Sequence, residues 1–246
     1  IGAMGLALGW ERSHRRRAGL DRPGLRAMLQ EGPGIVLAFA VVPFLVYLAA
    51  WAPWLADRGF DLGEWLRHHW DMAEFHRNLS SVNPDGEPIH PYMSPAWTWL
   101  LMTRPVAYYW NGGDGTAAEI IGIGHPLVFW GALIVIPYLA IRWRRDWAAG
   151  AVLVPILAQY LPWLPVARPL FLFYMTPVAP FLALGTVLAL RDLTAGRARD
   201  RSFAVAAAAL VVVVSVAVFA FFWPVLVGRT IPFASWQQRM WLPSWI

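Results

Sequence analysis

The sequence contains no cysteine and no lysine, and charged residues make up only 14% of its 246 positions. Without cysteine there is no disulfide, no thiolate nucleophile and no cysteine-ligated metal. The missing lysine leaves all 20 basic charges to arginine, which leaves the electrostatics unchanged and points to no function. Internal repeats and low-complexity linkers are absent too. What fills the chain is apolar: 58% hydrophobic residues, 16 tryptophans and a mean hydropathy of +0.47, outside the range of soluble domains and indicating a membrane protein. A net charge of +5 and an isoelectric point near 10.1 do not make a nucleic-acid binder, because the arginines punctuate apolar runs instead of lining one face.

Five segments are long and apolar enough to cross roughly 30 Å of hydrocarbon as helices: 34–56, 120–141, 147–166, 170–190 and 203–227. Pro43, Pro137, Pro155 and Pro177 fall inside them, where each is expected to remove a ladder hydrogen bond and favour a kink. The opening IGAMGLALGW is too short to cross and reads as the end of a truncated span, so the chain is taken as the C-terminal part of something longer. Orientation follows from arginine. Arg12, Arg15, Arg16, Arg17, Arg22 and Arg26 in the first connection, three arginines in 142–146 and four in 191–201 place those faces in the cytoplasm. The alternate connections are then external, and the 57–119 loop holds nine acidic residues against four arginines. The predicted fold class is an all-α polytopic membrane protein. Its parts are a helix end (1–10), a cytoplasmic loop (11–33), a span (34–56), an external loop (57–119) and a four-helix membrane region with an external tail (120–246).

Within the external loop, Leu62, Trp65, Leu66, His69, Met72, Ala73 and His76 recur at helical spacing, which predicts an amphipathic helix over 61–82 lying on the outer membrane surface. Trp236, Trp241 and Trp245 in the tail suit an interfacial belt. Ionisable residues are almost missing from mid-span, where transporters keep them, so transport is disfavoured.

The stretches MAEFHRNL, HPYMSPAWTWLLMTRPVAYYW, IIGIGHPLVFW, QYLPWLPVARPLFLFYMTPVAPFLAL and RMWLPSW follow one another over residues 60–246. In that order they resemble the C-terminal half of bacterial, actinobacterial-type protein O-mannosyltransferases. The resemblance implies a GT-C type glycosyltransferase in the bacterial plasma membrane. Such an enzyme takes mannose from a polyprenyl-phosphate-mannose lipid and gives it to Ser/Thr hydroxyls of secreted proteins. It also implies a complete enzyme of about eleven spans, whose catalytic base lies in an acidic pair on a first external loop outside this sequence. On that basis this chain alone is expected to be inactive and to need the N-terminal half as partner. One departure is visible: the family usually has Ser-x-Pro-Trp after His-Pro-Tyr-x, whereas here the order is Ser94-Pro95-Ala96-Trp97. Another lipid-linked-sugar transferase, or a non-enzymatic scaffold or transporter fragment, are the alternative readings.

Transfer from a lipid phosphosugar needs a base for the acceptor hydroxyl, donors or cations for the departing phosphate, and a groove for the lipid chain. Arginine suits the phosphate, since its planar fork stays charged and binds bidentately. Arg168, at the external turn between two spans, is the first candidate, and Arg104, after the tryptophan cluster, is the second, with pinning of the loop as its alternative role. His90, held extended between Pro88 and Pro91, is expected to donate to phosphate or to hold the acceptor loop. His76, Tyr92, Ser94, Trp97 and Tyr174 complete the expected donor and substrate set. No metal or other cofactor is expected, because His68, His69, Asp71, Glu74 and His76 match no metal-binding spacing.

Overall fold

The computed structural model describes residues 32–195 and 198–246; the expected helix end at 1–10 and most of the 11–33 loop lie outside the described residues. The chain is mostly helical and divides into two compact units between Leu79 and Ser80.

In the first unit, α1 (Gly32–Ala50) is long and apolar enough to cross a membrane. Its turn at Leu37–Val41 widens to a π-helix just before Pro43, which relieves the clash a proline ring makes with the preceding turn. α2 (Ala52–Asp57) follows, and then α3 (Leu62–Asn78), where the 3.6-residue periodicity predicts a helix. Asp61 starts α3 by accepting the Glu64 amide at 3.0 Å. α3 is tied to α1 through His69, whose Nδ1 donates to the Trp65 carbonyl at 2.7 Å while Nε2 accepts from the Tyr47 hydroxyl at 2.6 Å. Trp65 is buried, but Leu62 and Leu66 from the same predicted stripe remain exposed.

The second unit is built on α4 (Pro126–Arg142), α5 (Trp147–Tyr160) and α6 (Ala179–Thr194), packed with the end of α7 (Ala198–Leu226). Residues 202–226 within α7 form the second stretch long and apolar enough to cross. α4 and α6 approach closely at Gly185, where a Cβ would lie 2.8 Å from Val135. At one end of this bundle Asp146 and Asp192 pair with Arg142 and Arg191 at 2.7 to 3.5 Å, and Asp192 also accepts from the Tyr138 hydroxyl at 2.6 Å.

Three of the five expected spans are corrected in extent and start. Residues 120–122 are strand, and α4 begins only at Pro126, the first position where proline's missing amide costs nothing. α5 stops at Tyr160 and gives way to a 3₁₀ turn, Leu161–Trp163, at Pro162. Residues 170–178 are not α-helical; a second 3₁₀ turn, Leu172–Met175, precedes α6, so Pro177 sits in a connection.

The sequence reading missed a small sheet of order β1-β2-β3: β1 (Val106–Gly113), β2 (Thr116–Gly122) and β3 (Ile231–Pro232), all antiparallel. Asp114 and Gly115, with φ of 51° and 74°, make the two-residue turn of the β1/β2 hairpin. Asp-Gly between two β-rich runs was the available signal. β3 leads into α8 (Phe233–Gln237) and a tail whose Trp236 and Trp245 are core residues rather than an interfacial belt. Trp236 donates Nε1–H to the buried Glu119 carboxylate at 2.6 Å.

Candidate active site

The site lies where the α5/α6 connection meets the segment from His90 to Arg104. Pro162, Pro165 and Pro169 keep the connection from continuing α5, and two hydrogen bonds stitch it to its neighbour. The Ser94 amide donates to the Leu170 carbonyl at 2.8 Å, and the Tyr160 hydroxyl donates to the Ala96 carbonyl at 3.0 Å.

Trp99 is the floor. It is fully buried, and its Nε1–H is shared between the Ser94 carbonyl at 3.2 Å and the Ser94 hydroxyl at 3.1 Å. Tyr174 stands edge-on to Trp99 at 5.9 Å and stacks on Trp163 at 4.8 Å with an interplanar angle of 28°. The Arg168 guanidinium lies over both stacked rings, 5.4 Å from Trp163 and 5.9 Å from Tyr174. Contacts of this kind hold a guanidinium by the ring quadrupole.

The ring series continues outward from Tyr174 through Phe171 to His90, whose ring meets Phe171 at 5.0 Å and 90°. His90 Nδ1 accepts the Tyr92 amide at 3.2 Å, so in the neutral imidazole the proton sits on Nε2, which is then the ring's donor. Arg104 closes the series over Tyr92 at 5.4 Å. Its other contacts make it a clamp: Nε donates to the Pro91 carbonyl at 3.0 Å, and Nη1 reaches the carbonyls of Ser244 and Ile246. Beside it, Ser244 donates to the Thr103 carbonyl, and Trp245 donates to the Met102 carbonyl at 2.6 Å. Met102 is fully buried at φ 54°, a left-handed conformation that costs a non-glycine residue about 1–3 kcal/mol and persists only where its surroundings impose it.

Of the sequence-predicted residues, Arg168, Tyr174, His90, Tyr92 and Arg104 therefore line one continuous cluster. Ser94 is turned inward, 4% exposed, and serves Trp99. Trp97 is 67% exposed on the 3₁₀ turn Ala96–Leu101 that Pro95 introduces. His76 belongs to the first unit, next to Phe75 on the last turn of α3. Trp163 and Phe171 were missed as site residues, although each stands within five residues of Arg168 in a motif already singled out. His125 was missed as well. It stands at the N-terminal boundary of α4 without a side-chain capping hydrogen bond, donates to the Ser215 carbonyl at 3.0 Å, and lines a cavity of about 430 Å³ with Tyr108, Phe173 and Thr176.

Residues 62–245 match the model of the C-terminal four-transmembrane region of protein O-mannosyltransferases. The chain belongs to that family. Among curated proteins, it is 33% identical to the polyprenol-phosphate-mannose–protein mannosyltransferase of Mycolicibacterium smegmatis, over 89% of this chain and 49% of the relative. It is 32% identical to the protein of the same name from Mycobacterium tuberculosis, over 100% of this chain and 52% of the relative. The chain thus spans about half the length of the curated relatives it matches. Among solved structures, the Saccharomyces cerevisiae protein O-mannosyltransferase Pmt1-Pmt2 complex bound to the sugar donor has a similar fold, with a TM-score of 0.58 and 21% identity over 76% of this chain and 27% of that one. The family places this mostly helical chain among membrane proteins, in keeping with its two candidate spans.

Proposed function

We propose that this chain forms the donor-binding face of a GT-C glycosyltransferase that moves mannose from polyprenyl-phosphate-mannose to Ser/Thr hydroxyls of exported proteins. The observation that carries the reading is the Arg168 guanidinium seated over the Trp163/Tyr174 stack, in a cluster that also holds His90, within the region matched to the family. In the reaction the acceptor oxygen attacks the anomeric carbon, the bond from that carbon to the phosphate oxygen breaks, and the acceptor proton passes to a base. Polyprenyl phosphate leaves with an added negative charge. Arg168 and the Nε2–H of His90 stabilise that charge, while Tyr92 and Trp97 offer ring faces to the sugar. The base comes from a part of the enzyme outside this chain, which spans only half of its relatives.

The same reading makes the protein multi-pass in the bacterial plasma membrane, with residues 57–119 and the tail outside. The test is reconstitution of the full-length enzyme with polyprenyl-phosphate-mannose and a Ser/Thr peptide. Mannosylated peptide and polyprenyl phosphate should appear together; equal transfer from a nucleotide sugar, or none from folded enzyme, overturns the reading. Topology is checked independently by cysteine labelling at Asp85→Cys, which should react from the outside of intact cells.

A further inference from the structure

We propose that the outer edge of β1 is the docking site for the acceptor polypeptide, which adds to the sheet as an extended strand; this rests on the transferase reading above. Among the described residues β1 has β2 on one side only. The hairpin closes on the Gly113/Thr116 pair, and alternation of the antiparallel ladder from there turns the amides of Gly113, Asn111 and Tyr109 toward β2 and those of Trp110 and Gly112 outward. Unpaired backbone donors and acceptors spaced along a strand match another extended backbone, the recognition mode in which a peptide strand is added to a sheet edge.

Beyond the single bulge described below, the edge carries neither of two common protections, charge and proline. No charged residue or proline lies between Val106 and Gly113, and Tyr108, Tyr109 and Trp110 are 59%, 45% and 48% exposed. Edges left this way are templates for strand pairing unless a partner is meant to use them. The register slips once, at Tyr108. Bulges of this kind re-aim a side chain, and the Tyr108 ring faces Phe173 at 6.2 Å, which stacks on Phe171 at 5.3 Å beside His90. The strand that presents this edge is thus joined through the Tyr108 ring to the ring cluster assigned to the donor. Main-chain recognition also suits an acceptor defined by a hydroxyl rather than by a fixed sequence. The occupant is thus an extended, uncharged, hydroxyl-bearing peptide segment.

The test uses full-length enzyme in nanodiscs and an acceptor peptide N-methylated at one amide at a time. Binding is read by fluorescence anisotropy without donor, and transfer is assayed separately. Methylation at every second amide should weaken binding about five-fold, the worth of one lost hydrogen bond, and the intervening positions should have no effect. Asn111→Lys, which places a charge on the edge, should weaken every peptide and leave the donor KM unchanged. A flat or non-periodic methylation profile overturns the proposal. So does peptide binding insensitive to Asn111→Lys, which would mean that another segment of the enzyme covers the edge, or edge-to-edge dimers that peptide does not compete. If periodic binding persists but no mannose is transferred, the transferase reading falls and the edge stands as a peptide site.

Discussion

The two ends of the α4, α5 and α6 bundle hold their arginines against different kinds of neighbour. At one end Arg142 and Arg191 are matched by Asp146 and Asp192 across three helices; at the other, Arg168 lies over the faces of Trp163 and Tyr174. The first arrangement cancels charge and fastens helix ends together. In the second, two stacked aromatic faces hold the cation by their ring quadrupoles. The same residue type is thus a fastener in one place and, in the reading offered above, an instrument for binding phosphate in the other.

Substitutions at the two ends should separate these roles. The largest effect is expected at Arg168. In the full-length enzyme Arg168→Ala should lower donor affinity or turnover tens- to hundreds-fold, since hydrogen bonds to ionised groups contribute about 1.5–3 kcal/mol each. Arg168→Lys should recover only part, a point charge replacing a bidentate fork. Unchanged donor KM and turnover in a variant of normal Tm would make Arg168 a fastener like its counterparts. Next is His90, where His90→Gln keeps a donor near the Nε2 position and His90→Asn keeps an acceptor near Nδ1. A roughly ten-fold loss of turnover in the second variant, relieved in the first, identifies Nε2–H as the working atom; equal loss in both removes that role.

At the opposite end Asp192→Ala should act on stability alone, costing about 1–3 kcal/mol by leaving Tyr138 and two arginines short of an acceptor. A lowered Tm with unchanged donor KM is the expected result, and a changed KM would break the contrast. The smallest effect is at Glu119. Burial raises its carboxyl pKa, partly opposed by the Trp236 hydrogen bond. A raised folded-state pKa contributes stability that is fully present below the unfolded glutamate value, about 4.3, and is lost as pH rises through the folded value. Glu119→Gln keeps an acceptor for Trp236 without a buried charge, so it should raise Tm slightly at pH 7, with the gain vanishing toward pH 4. A lowered Tm at pH 7 would show the charged form to be the stabilising one.

The sequence made some of this legible for identifiable reasons. α3 was readable because Asp61 and the 3.6-residue stripe are local signals, and α1 and the apolar part of α7 because length and hydropathy suffice. The hairpin was lost because Ile120 and Ile121 were counted into a span, and apolar content does not distinguish a short buried strand from a helix start. The late start of α6 was lost the same way, since Leu170, Phe171 and Leu172 are as apolar in 3₁₀ and extended backbone as in a helix. In the site, Arg168 and Tyr174 were visible as polar groups in an apolar connection. The inward turn of Ser94 and the reach of Arg104 to Ser244 depend on contacts between distant segments, which no local pattern encodes.

Those distant contacts set a timetable for biosynthesis. β2 finds its second neighbour when Thr116 pairs with Pro232, and the segment around Arg104 is sewn down by Ser244, Trp245 and Ile246. At about 5–20 residues per second of translation, Pro232 follows Thr116 by roughly 6 to 23 s, and throughout that interval the hairpin and its arginine wait unclamped. A nascent chain halted just after α7 would already possess α4 to α7 and Trp99, but its sheet and its tail clamp would be missing. Maturation of the site is thereby coupled to the synthesis of residues 231–246, so that a chain halted before them lacks the closing step even where every ring of the cluster has been made.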